Sequence, residues 1–187
     1  MWSKLVNHPR RGLQVLGLFI LSLGLAALAL PSLGRMDMRG VSVVELEMMR
    51  TSAKATETVA QLGPQGVDAA QTALYLDFPY LVVYALLFSA ACVVMASRAD
   101  QRGRLRLAAA GRTLAWAAPV AAALDAVEDV ALLVVLDGTV DQPWPGIAFG
   151  SASVKFALLA VVIVYLVIGL LLTLGRRVPA EESPPAS

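Results

Sequence analysis

The chain has 187 residues, 58% of them hydrophobic and 16% charged, with a mean hydropathy of +0.70. Soluble domains carry roughly 25% charged residues, and one water-soluble core of this size cannot hide so much apolar surface. The net charge of +1 leaves no nucleic-acid footprint, and a single cysteine, Cys92, excludes a disulfide scaffold, a zinc ribbon and a thioredoxin-like site.

Long apolar runs also exclude disorder for most of the length. An integral membrane protein remains. A helical crossing needs about 20 apolar residues, and backbone in lipid must satisfy its own hydrogen bonds. Four runs qualify, at about 13–33, 74–96, 113–136 and 147–174. The expected fold class is all-α, a transmembrane bundle of four helices with an outer-side amphipathic helix between the first and second.

In chain order, residues 1–12 form a basic N-terminus with Lys4, Arg10 and Arg11. Trp2 is a candidate interfacial anchor there, and His8, the sole histidine, is read as solvated. The first run, Leu13 to Leu33, has a competing reading as a signal peptide cut after Ala27-Leu28-Ala29. It is longer than the apolar part of an ordinary leader, and Leu30-Pro31 is a poor sequel to a cleavage site, so it is expected to stay.

Residues 34–73 are the one sizeable extramembrane piece. Val41, Val44, Met48, Ala55, Val59 and Leu62 recur at helical spacing, while Glu45, Glu47, Arg50, Lys54 and Glu57 fill much of the remainder. This predicts an amphipathic helix on the outer interface, its apolar face resting on lipid, in preference to a lid over the bundle. Gly63-Pro64-Gln65-Gly66 is expected to break it.

The second run opens with Leu76-Asp77-Phe78-Pro79-Tyr80, and Tyr84 follows one turn on. Asp77 lies roughly 5 Å below Leu74. Cys92, in the same run, is expected to pack as a small apolar residue. The next connection holds Arg98, Arg102, Arg104 and Arg106, with Arg112 at the start of the third run.

The third run carries Asp125, Glu128 and Asp129, whose spacing of three and four puts them on one helical face. Counted from Leu136, Asp129 lies roughly 10 Å and Asp125 roughly 16 Å inside. Ala117, Ala118, Ala121, Ala122 and Ala126 permit close helix packing. Pro143-Trp144-Pro145-Gly146 makes a short rigid turn into the fourth run, where Lys155 lies roughly 12 Å from the same face. The two runs should be antiparallel neighbours. The tail from residue 178 reads as disordered.

Orientation follows from the basic residues. The N-terminus, the 98–112 connection and Arg176-Arg177 share one side, and the 137–146 connection has no basic residue. Both termini are therefore expected in the cytoplasm. The signal-like start and the preference for Arg over Lys suit a bacterial inner membrane.

The predicted polar pocket consists of Asp77, Tyr80, Tyr84, Asp125, Glu128, Asp129 and Lys155. Each central charge costs about 2.5 to 3.5 kcal/mol to insert. Four carboxylates against one ammonium cannot all be ionised without help, so a carboxyl is protonated, a cation is bound or water enters. Lys155 is expected to pair with Glu128 or Asp129, leaving Asp125 protonated or bound to a cation. The candidate cation ligands are Asp125, Glu128 and Asp129.

Three functional readings follow. The first is a structural or partner-binding membrane scaffold, its partner another membrane protein or a second copy. The second is a proton- or cation-coupled transporter. The third, with the least support, is an enzyme using a carboxylate on a lipid-like substrate. No nucleotide, flavin or metalloprotease motif is present, so no cofactor is expected.

The segments Val44-Glu45-Leu46, Leu76-Asp77-Phe78 with Tyr84, and Asp125-Ala126-Val127-Glu128-Asp129 give a layout that resembles a loose group of uncharacterised small bacterial membrane proteins with four crossings. The likeness spans most of residues 13–174. The last motif position is often Asn in that group, and Asp129 here adds a charge. The resemblance implies a fold and no activity.

Overall fold

The computed structural model describes residues 11–174. The expectations for residues 1–10, for Arg176-Arg177 and for the tail lie outside the described residues. Six helices occur among the described residues, with no strand: α1 (Arg11–Asp37), α2 (Val43–Glu47), α3 (Ser52–Gln101), α4 (Leu105–Leu114), α5 (Ala117–Leu136) and α6 (Trp144–Leu174). Three segments, Gly12–Asp37, Ser52–Gln101 and Trp144–Leu172, are long and apolar enough to cross a membrane. The 20 residues of α5 include Asp125, Glu128 and Asp129, too many acids for that test.

The helix α1 packs along α3. Its buried and half-buried positions are Val15, Leu18, Ser22, Leu25, Ala29, Ser32 and Met36, with Leu33 beside them. That alternation of threes and fours is a narrow coiled-coil seam, and Ser22, Ala29 and Ser32 let the two backbones approach. The helix runs through Pro31 to Asp37, past the expected end near Leu33.

The amphipathic helix expected over 41–62 is two helices instead. Ser42 caps α2 with a reciprocal capping box to Glu45. The chain leaves helical geometry after Glu47, and Thr51 caps α3 by accepting from the Lys54 amide. Of the expected apolar face, Val41, Ala55 and Leu62 are buried within the protein, Met48 and Val59 are half-buried and Val44 is exposed. Val41, Leu46, Met49, Ala55 and Leu62 are buried together with Met36, Ala69, Leu74, Leu132, Val135 and Ala148. Two amide side chains fasten this cap. Gln61 donates to the carbonyls of Arg39 and Gly40, and Gln142 donates to the carbonyl of Arg50.

Pro64 and Pro79 both lie within α3, and only Gly63 departs from helical torsions there, at φ 61° and ψ 178°. The third apolar run, expected as one helix over 113–136, is divided between α4 and α5. Pro119 has no N–H for the carbonyl of Ala115, and the Ser89 hydroxyl donates to that carbonyl at 2.8 Å. At this end of the molecule Cys92, Met95, Val162 and Tyr165 form a second apolar cluster. Gly111 is needed beside it, because a Cβ there would stand 2.6 Å from Tyr165 Cζ.

The helices α5 and α6 pack against each other, and α5 also packs on α3. The buried stripe of α5 runs through Ala118, Ala121, Asp125, Glu128, Leu132 and Val135. On α6, Ala148, Ala152 and Lys155 are buried, and Val162 and Tyr165 further along are buried in the cluster with Cys92 and Met95 of α3. Both stripes repeat at three and four, and charged residues occupy the middle of each.

Candidate functional site: a buried carboxylate cluster around one amine

The Lys155 side chain is 6% exposed, and its Nζ touches three carboxylates from two other helices. Asp125 Oδ1 lies at 2.5 Å, Glu128 Oε2 at 2.7 Å and Glu47 Oε1 at 3.6 Å. The amine also lies 4.9 Å from the centre of the Phe156 ring. Asp125 uses its other oxygen as well, accepting from the Tyr84 hydroxyl at 2.9 Å. A side chain of α3 is thereby tied to the same carboxylate as Lys155. Tyr80 stands beside Tyr84, with ring centres 5.6 Å apart, and supports its position.

Of the two expected partners, Lys155 meets Glu128 and not Asp129, and Asp125, expected to be protonated or bound to a cation, is a second partner of the amine. Adjacent residues on a helix point about 100° apart, so Glu128 faces α6 while Asp129 is turned toward α3. There Asp77, Asp125 and Asp129 each offer a carboxylate oxygen within 4.8 Å of the other two. Asp125 and Asp129 are buried, and Asp77 is half-buried. The cation ligands expected were Asp125, Glu128 and Asp129. The three carboxylates that lie together are instead Asp77, Asp125 and Asp129, while Glu128 lies beside the amine.

Glu47 was read as part of a solvated helix face, yet it reaches the amine with 16% of its side chain exposed. No periodic signal could have found it, since α2 is only five residues long. The cluster thus holds five carboxylates, Glu47, Asp77, Asp125, Glu128 and Asp129, around a single ammonium. Glu128 Oε2 is close to Nζ but not in line for a hydrogen bond. Glu128 Oε1 and Asp129 Oδ2 are buried with no hydrogen-bond partner among the described residues. Unpaired buried polar atoms are costly, so hydrogen bonding within the chain does not complete this cluster.

Glu47 has the one carboxyl of this set that belongs to the cap. Burial raises its pKa above the ordinary 4.5, with the Lys155 amine pulling the other way and Asp125 adding to the rise. A raised acid binds its proton more tightly folded than unfolded. Its contribution is then fully present below pH 4.5 and lost as pH rises through the folded value. The wild type should therefore lose stability relative to Glu47→Gln as pH rises above about 4.5. Paired melting curves of the two proteins in one detergent measure this, and a gap independent of pH would contradict it.

Two hollows lie between α3 and α5 without being lined by these acids. One, of about 420 Å³, is walled by Phe78, Val82, Leu86, Pro119, Ala122 and Ala126, among others. The other, of about 260 Å³, is lined by Gln71, Tyr75, Val130, Leu133, Val134 and Asp137. Compared with family models, with curated proteins and with solved structures, the chain matches none.

Proposed function

We propose that the chain is an integral membrane protein of four crossings, α1, α3, α5 and α6, with both termini cytoplasmic. In this reading it is a structural or partner-binding scaffold whose cap, α2 and the start of α3, is held on the outer end of the bundle by the buried charges. The observation that carries the reading is the Lys155 amine, which joins carboxylates of α2 and α5 to α6. The two hollows described between α3 and α5 are lined by other side chains, and none of these groups lies in either wall. The exposed apolar residues of α1, among them Leu16, Phe19, Ile20, Leu23 and Leu30, supply a surface for lipid or for a neighbouring membrane protein.

The test is flux together with cross-linking. Proteoliposomes are expected to pass protons and alkali or alkaline-earth cations no faster than empty vesicles. Cross-linking in native membranes is expected to give discrete species larger than the 19.7 kDa chain. Cation- or pH-driven flux that Asp125→Asn abolishes would replace this reading with the transport one. Single cysteines placed at Asp141 and Arg102 in a Cys92→Ala background check the topology. An impermeant maleimide should label the first in intact cells and the second only after permeabilisation.

A further inference from the structure

We propose that Asp77, Asp125 and Asp129 form a binding site for a hard divalent cation of the calcium class, clamping α3 to α5 beneath the cap. The inference goes beyond the scaffold reading and stands whether or not the protein has a partner.

Three observations converge on it. The first is geometric. One oxygen from each of the three carboxylates lies within 4.8 Å of the others. Two oxygens on one cation at a calcium–oxygen distance of about 2.4 Å can be no further apart than about 4.8 Å. The second is an orphaned group. Asp129, a member of the triad, is 3% exposed, and its Oδ2 has no hydrogen-bond partner among the described residues. A buried carboxylate oxygen in that state wants a proton or a cation. The third is charge. Lys155 touches Glu47, Asp125 and Glu128, and leaves Asp77 and Asp129 without a counter-charge. A divalent cation at the triad offsets the joint formal charge of Asp77 and Asp129, and lowers that of the whole ionised cluster from −4 to −2.

The donors select the class of ion. The triad offers carboxylate oxygen only, which suits calcium, magnesium or manganese and disfavours zinc or copper. Magnesium needs near-ideal octahedral geometry at about 2.0–2.1 Å and gives up water reluctantly. Calcium accepts irregular oxygen shells at about 2.3–2.6 Å, which fits three side chains fixed on two rigid helices. Asp77 is the most exposed of the three and marks the side by which an ion enters. Asp125 has a second role as the shared member, since its oxygens also meet Lys155 and Tyr84. An ion at the triad would therefore be coupled to the amine cluster through a single carboxylate.

The experiment uses the full chain in phosphatidylcholine nanodiscs, stripped with chelator and titrated with calcium chloride. Calorimetry should show one calcium per chain, and the melting temperature should rise saturably over the same range. Manganese should compete, and its paramagnetic spectrum should report a bound, oxygen-liganded ion. Asp77→Asn and Asp129→Asn should each weaken calcium binding by about tenfold or more, while Asp141→Asn leaves it unchanged. Asp77 is half-buried, so its variant keeps the test open if Asp129→Asn does not fold. Absence of calcium binding would overturn the proposal. So would stoichiometric binding kept by both triad variants, or a response to sodium alone. None of these outcomes bears on flux or cross-linking, so the scaffold reading stands or falls separately.

Discussion

Lys155→Met is expected to be the most damaging single change in the protein. The substitution keeps the length of the side chain and removes the one positive charge among five carboxylates. Asp125 and Glu128 would lose partners at 2.5 and 2.7 Å in a site closed to solvent. Removing one partner of a buried ion pair costs about 3–5 kcal/mol, because the other is left uncompensated. Melting in mild detergent should show this as a large fall in transition temperature. The cap should also loosen, since Glu47 loses its contact with α6, and proteolysis between Met48 and Thr51 would report that. Adding Asp125→Asn and Glu128→Gln to Lys155→Met should recover much of the loss, because a neutral hydrogen-bonded set carries no stranded charge. Unchanged stability in Lys155→Met would remove the amine from its central role.

Gly63→Ala is the second. Gly63 has φ 61° and ψ 178°, a region closed to residues with a side chain. A Cβ there would meet only Arg39 Nη1, at 3.7 Å, so the penalty is backbone strain and not crowding. Forcing such torsions costs about 1–3 kcal/mol. The residue joins the cap-side stretch of α3, which packs with α2, to the longer stretch that carries Asp77 and Tyr84. The variant should therefore melt lower. Gly34→Ala, at a helical position with open space around it, should not. Equal melting of the two variants would show that the bend does not need glycine.

Much of this site was legible from residue spacing, for a definite reason. Helical periodicity puts Asp125, Glu128 and Asp129 on related faces, and counting residues from a short turn brings Lys155 to matching depth. The partner of the amine was not legible. Glu128 and Asp129 differ by one residue, and the 100° between them is what sends one to α6 and the other to α3. Spacing along one helix cannot say which neighbour stands on which side. Glu47 was hidden for another reason. Its contact spans 108 positions of sequence and begins on a single helical turn, where periodicity carries no information. The division of the third run had a visible cause in Pro119. Its outcome depended on Ser89, which lies 26 residues from the Ala115 carbonyl that it takes.

The pairing across the hairpin of α5 and α6 also bears on biosynthesis. At about 2.5 to 3.5 kcal/mol for each central acid, α5 is a poor candidate to leave the aqueous exit of the insertion machinery unaided. Its counter-charge is made later in translation, on the following helix. If α5 crosses the bilayer as proposed, it is expected to enter lipid together with α6, and truncating the chain before Lys155 should lower its insertion.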